Sequence, residues 1–237
     1  MGEIETLIAD VAGETDELCH SIERLGGSQA QRDGSRLPGW SRAHVLVHLA
    51  RNADGLRNLL LSARTATPLR VYASPQTRLA DIEAGVTRPA EVIAADAVES
   101  SNRFVVEARA MPPEAWDEEV LFSSGQPDPP VLAARRVLEM RLQEVCLHHV
   151  DLDVGYEFDA VPARLLLELL QRLVTYRQRQ GVRVAIRVSG SEHPNLVGDP
   201  AGPVVGGDAA ALVAWLAGRS HHGVQSDGPL PELPSFG

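Results

Sequence analysis

Aromatic side chains are scarce in this chain: only 4% of its 237 residues are Phe, Trp or Tyr. Its core therefore has to be built largely from Leu, Val and Ala. Cysteine is nearly absent, with Cys19 and Cys146 alone, each inside a helical pattern. Two such residues without a secretory context point to reduced thiols in a cytosolic protein, not to a disulfide framework. An excess of basic charge is missing as well. The net charge of -10 argues against nucleic acid as a partner, because phosphate binding needs clustered Lys and Arg. No apolar run approaches the roughly 18 residues of a membrane span. The first residues, "MGEIETLIADVAGETDELCHSIERL", carry acids where a signal peptide has a basic region. The expectation is a soluble, cytoplasmic protein that does not engage a membrane. No long exposed apolar stripe suggests a partner subunit, so a monomer is expected.

Helical periodicity fills the first two thirds of the chain. Ile4, Leu7, Ile8, Val11, Leu18, Ile22 and Leu25 recur at mostly helical spacing across 3–25. Ser41 is placed to cap a helix over 42–65, whose apolar stripe is Val45, Leu49, Ala53, Leu56 and Leu60. The looser stretch 67–87 contains "SPQTRLADIEAG", a short helix inside a long connection. Pro89 suits the first turn of a third long helix, stopped near Ala110 by Pro112 and Pro113. A fourth runs over 131–152. Four long helices joined by sizeable loops read as a four-helix bundle spanning 1–156.

From 157 the pattern changes. Residues 162–180 form an amphipathic helix closed by Gly181. "VRVAIRVS" (182–189) alternates in the manner of a strand, and "GPVVGG" (202–207) suggests another. "DAAALVAWLAGR" (208–219) reads as a helix capped by Asp208. The fold class is thus α+β, with a small α/β domain over 157–237.

The stretch "EMRLQEVCLHHVDLD" (139–153) holds the chemical signal. At 100° per residue, Val137, Arg141, Glu144, His148 and Asp151 fall on one side of a helix whose other faces are apolar. Ionisable groups on a buried helix have to pair or bind something. Arg141 and Glu144 can form a satisfied core pair with His148 beside them. Alternatively His48, in "GWSRAHVLVHLARNADGL" (39–56), can converge on Glu144 and His148 across the bundle. Two His and one Glu form a known catalytic zinc set with one open position. His44 competes with His48, and His149 with His148, although His149 falls about 100° round the helix from its neighbour. Asp151 and Asn52 are placed to act as outer partners of the two imidazoles. Cys146 reads as core.

These stretches, with "YASPQTRLADIEAG" (72–85) between them, resemble the mycothiol-dependent maleylpyruvate isomerase family. That family joins a DinB-like four-helix bundle to a small C-terminal α/β domain, which "AALVAWLAGRSHHGV" (210–224) resembles. The resemblance implies that His48, Glu144 and His148 ligate zinc. It also implies that Arg219 belongs to an active site between the two domains and that Arg78 is a recurring arginine of the long connection. The implied cofactors are Zn2+ and mycothiol, a low-molecular-weight thiol cosubstrate. The implied substrate is a small dicarboxylate, maleylpyruvate, isomerised from cis to trans fumarylpyruvate in gentisate breakdown. Two alternatives share the architecture: another thiol-dependent transferase on the same metal set, or a metal-free binding or regulatory bundle.

Overall fold

Gly2 opens a helix over Glu3–Arg24 (α1), with Glu3 and Glu5 in its first turn where the helix dipole favours acids. The computed structural model describes residues 2–190 and 197–235. After a single turn at Ser28–Arg32 (α2) come the long helix Arg42–Thr65 (α3), Pro75–Gly85 (α4) and Ala90–Arg109 (α5). A 3-10 turn at Pro113–Asp117 leads to a short hairpin, Glu119–Leu121 (β1) with Val131–Ala133 (β2), and then to Arg135–Asp151 (α6). α3 packs against α5 and α6, and α1 against the same two, which gives the four-helix bundle. Its centre is Leu18, Leu46, Leu49, Ala97, Val145 and their neighbours, all essentially without exposure.

Two expectations need correction. The fourth long helix starts at Arg135, not 131, because Val131–Ala133 pair antiparallel with Glu119–Leu121. The β-branched, extended segment after the prolines finds a strand partner, and tertiary pairing overrides its helical reading. The loop following α1 also contains the helical turn α2, which its glycines hid.

α4 owes its seat to a glycine. A Cβ on Gly85 would stand 2.5 Å from Cγ1 of Val47, so α4 lies on α3 at a distance only glycine permits. Pro75 sits in the first turn and Ser74 accepts the Thr77 backbone N–H at 3.0 Å, which fixes where α4 begins. Gly55 allows a similar close approach on another face of α3: a Cβ there would meet the Val71 carbonyl oxygen at 2.8 Å. The connection 67–74 is thereby held on α3, and Val71 N–H donates to the Ser123 carbonyl at 2.9 Å, tying it to the hairpin.

The chain divides into two compact units, Met1–Gly155 and Tyr156–Gly237. In the second, Ala163–Arg179 (α7) precedes a four-stranded sheet of Ala185–Val188 (β3), Val197–Gly198 (β4), Val204–Gly207 (β5) and Gln225–Ser226 (β6), ordered β4-β3-β5-β6. β3 and β5 run parallel, with Ile186 opposite Val205, and the outer pairs are antiparallel. Ala209–Leu216 (α8) packs on α7 and is capped by Asp208, which accepts the Ala211 N–H at 2.8 Å. β4 and β6 escaped the sequence pattern because two-residue strands carry no readable alternation. The fold is α+β.

Candidate metal centre

α3 and α6 face each other across the bundle, and their facing polar positions are His48 on one and Glu144 and His148 on the other. Nε2 of His48 lies 2.9 Å from Oε2 of Glu144 and 3.1 Å from Nε2 of His148. The remaining edge, His148 Nε2 to Glu144 Oε2, is 3.5 Å. Zinc bonds of 2.0–2.1 Å in a tetrahedron imply ligand atoms about 3.3 Å apart, so the triangle fits a zinc-sized cation. Beside it lies a cavity of about 140 Å³ lined by His48, Asn52, Leu56, Tyr72, Arg78 and Glu144, among others. No other set of three metal-binding side chains gathers in this way among the described residues.

The surroundings hold two of these groups in place. Asp151, fully buried, sits 2.8 Å from Nδ1 of His148. A carboxylate there accepts the Nδ1–H, so that loss of the second ring proton would leave the Nε2 lone pair facing the triangle, the usual arrangement behind a ligating imidazole. Burial pushes the His148 pKa down, but the contacts with Asp151 and Glu144 outweigh it and raise it to about 8. Burial and the neighbouring His148 lower His48 to about 4. Burial likewise pushes the Glu144 carboxyl up, yet hydrogen bonds from the two imidazoles hold it well below the ordinary carboxylate range. Trp40 packs beside His48, its ring centre 5.7 Å from that of the imidazole and edge-on to it. Arg78, carried by α4, places Nη2 3.1 Å from His48 Nδ1 and its guanidinium 5.7 Å from the Tyr72 ring centre.

The competing imidazoles are engaged elsewhere. His149 is fully buried and bonds through Nε2 to Ser21 Oγ of α1 at 2.8 Å. His44 reaches back to the helix start, where its Nδ1 accepts the Ser41 backbone N–H at 3.1 Å. Arg141 departs from expectation: it forms no ion pair with Glu144. Its guanidinium donates to the Leu49 carbonyl at 3.1 Å, to Asn52 Oδ1 at 2.8 Å and to Ser101 Oγ at 2.8 Å. Asn52 is therefore a partner of Arg141, not of His48. Arg219 lies in the second unit just beyond α8, where its backbone N–H closes the helix on the Ala214 carbonyl at 2.8 Å. Cys146 is buried in the core.

Tyr72, Val71, Phe122 and Met140 line the cavity, and sequence patterning gave them no role. Tyr72 at least opens the motif stretch that contains Arg78. Phe122 lies just beyond β1, whose pairing partner is ten residues distant, and nothing local marks it.

Comparison with known proteins gives the family. The crystal structure of the mycothiol-dependent maleylpyruvate isomerase superposes with a TM-score of 0.88 at 28% identity, over 99% of this chain and 98% of that one. A histidine-to-alanine mutant of the same isomerase matches equally well, with a TM-score of 0.88 at 28% identity over the same shares of the two chains. No curated protein matches. The profile described as mycothiol maleylpyruvate isomerase N-terminal domain covers residues 11–153, which hold the whole triangle and its cavity. The chain belongs to the mycothiol maleylpyruvate isomerase family.

Proposed function

We propose that this protein is a zinc- and mycothiol-dependent isomerase that converts maleylpyruvate to fumarylpyruvate. The observation that carries the reading is the convergence of His48 Nε2, Glu144 Oε2 and His148 Nε2 beside a cavity that His48 and Glu144 line. His48, Glu144 and His148 would hold the cation, which when bound supplies a Lewis acid that favours the thiolate over the thiol.

The chain's own groups do the rest. The cavity is partly apolar, with Leu56, Val71, Phe122 and Met140 in its wall, so a thiolate inside it is shielded from water and stays nucleophilic. The thiolate adds to the alkene carbon conjugated with the carbonyl: a C–S bond forms, the π bond breaks and the electron pair moves to the carbonyl oxygen. The former double bond turns as a single bond, the pair returns, and the C–S bond breaks to release thiolate and trans product. Arg78, exposed to the cavity, suits a substrate carboxylate. Arg219 is the second proposed catalytic arginine, a role that rests on family resemblance. Among the described residues no helix is long and apolar enough to cross a membrane. The reading as a cytoplasmic enzyme acting on small molecules rests on the family and on the composition of the chain.

The test is metal analysis joined to an ultraviolet assay of maleylpyruvate with and without added thiol. About one zinc per chain, lost in His48→Ala, and thiol-dependent turnover are expected. Zinc without turnover of maleylpyruvate would move the reading to another thiol-dependent transfer on the same site. A folded, metal-free wild type would rule out both.

A further inference from the structure

Arg141 is the most deeply buried cation of the bundle, with no exposure at all, yet among the described residues no carboxylate lies within ion-pair distance of it. All its partners are neutral: the Leu49 carbonyl at 3.1 Å, Asn52 Oδ1 at 2.8 Å and Ser101 Oγ at 2.8 Å, with the Phe104 ring centre 5.9 Å away. A buried charge is ordinarily compensated by an opposite one. Here it is left net positive, directly behind a residue that lines the cavity.

That residue is Asn52, itself only 7% exposed. A guanidinium can only donate, so the amide oxygen has to be the atom facing Arg141. The orientation of the amide is thereby settled, and Nδ2 points away from Arg141. Among the described residues Nδ2 has no hydrogen-bond partner. Asn52 lies one turn after His48 on α3, so its side chain projects from the same face, about 6 Å along the helix. The cavity thus has an oriented N–H donor, without a protein partner among the described residues, one helical turn from the proposed cation site and polarised from behind by a buried charge.

We infer that Asn52 is a further catalytic residue, whose Nδ2 donates to the substrate oxygen on which negative charge collects when thiolate adds, and that Arg141 positions and polarises it. The inference rests on the isomerase reading for the identity of that oxygen. The arrangement answers the needs of the step: the reacting carbon faces the thiolate, and the carbonyl oxygen conjugated with it faces a fixed donor whose hydrogen bond strengthens as the charge develops. It also accounts for Asn52 bonding to Arg141 instead of His48, since a tie to His48 would use up the donor.

The experiment uses zinc-loaded wild type, Asn52→Ala and Asn52→Asp. The aspartate is nearly isosteric and can pair with Arg141, so it keeps the fold while turning a donor into a negatively charged acceptor. Oxalate serves as the probe, since it carries an anionic oxygen beside a carboxylate. Its affinity, measured calorimetrically, should fall at least about tenfold in Asn52→Ala and further in Asn52→Asp, with zinc content and melting temperature kept in at least one variant. In the maleylpyruvate assay kcat should drop about 100-fold, the usual cost of losing one such donor, with a smaller change in KM. Oxalate binding within twofold of wild type in Asn52→Ala, or loss of zinc from both variants, would overturn the inference. If wild type fails to turn over maleylpyruvate, the isomerase reading fails, and the oxalate series still decides the role of Asn52.

Discussion

Nη2 of Arg78 stands 3.1 Å from Nδ1 of His48. Arginine only donates, so Nδ1 accepts and the ring proton sits on Nε2, directed at Glu144. A cation held by His48 Nε2 would reverse this: neutral His48 would then carry its proton on Nδ1, and two donors would confront each other. Arg78 has to turn towards the cavity it already lines, where an anionic substrate can receive it. Arg78→Ala is therefore expected to bind zinc as well as wild type or up to about tenfold more tightly, the worth of one released hydrogen bond. Turnover should suffer instead, with kcat/KM down about 10- to 100-fold for loss of one charged hydrogen bond. Competition titration with a chromogenic chelator reads the first effect and steady-state kinetics the second. Weaker zinc binding would make Arg78 a prop for the metal site.

Metal uptake should depend on pH in a way set by His148. Its pKa is raised to about 8 through Asp151 and Glu144 against burial, whereas His48 is lowered to about 4. In the metal-free protein a raised imidazole pKa stabilises the fold fully below the unfolded value of about 6.5, and that contribution is lost as pH rises through about 8. Zinc binding needs a neutral His148, so between about pH 5 and 8 it displaces one proton and the affinity falls about tenfold per unit of acidification. Zinc titrations from pH 6 to 9 should give a slope near one that flattens above 8. A slope near two would mean that His48 also starts protonated. Asp151→Asn should move the break to lower pH and weaken zinc about 10- to 100-fold.

The bundle and the phase of its polar stripe were legible because 3.6-residue periodicity is a local signal. Glu144 and His148 are one turn apart, and a shift of one residue to His149 rotates the ring into α1, where Ser21 waits. What stayed hidden depended on distant partners. Arg141 looked like a mate for Glu144 because the two are three residues apart, but the guanidinium instead reaches α3 and α5, whose residues are 89 and 40 positions away. Val71, Tyr72 and Phe122 become cavity wall only once the 67–74 connection hydrogen-bonds to Ser123, and no spacing rule anticipates that. The false start of α6 has the same origin, a strand partner supplied from outside the window.

Neither cysteine is expected to serve as the nucleophile. Both are buried in the bundle, and burial together with Asp16 and Glu23 pushes the Cys19 thiol up to about 11. The thiolate fraction at neutral pH is then negligible, so alkylation of the folded protein should stay slow up to about pH 9. A Cys19→Ala/Cys146→Ala variant should keep zinc and thiol-dependent turnover within about threefold, while losing some stability, up to a few kcal/mol, through core truncation. Turnover abolished with zinc still bound would place a protein thiol in the reaction and displace the external one.

Gly85 offers a test of how α4 aims Arg78. A Cβ at this position stands 2.5 Å from Val47 Cγ1 and 3.1 Å from Cγ2. Val47 cannot yield easily: it is β-branched, 1% exposed and adjacent to His48. Gly85→Ala should therefore lift α4 from α3, costing about 1–3 kcal/mol of overpacking, which lowers the melting temperature by several degrees for a chain of this size. Turnover should fall with it, since Arg78 travels with α4, while zinc content is kept because the three proposed ligands lie on α3 and α6. Adding Val47→Ala removes both methyl groups in the way, so the double variant should recover activity even though its core is smaller. If the second substitution restores nothing, the contact between Gly85 and Val47 does not set the position of Arg78, and its aim must come from the Tyr72 side of the cavity.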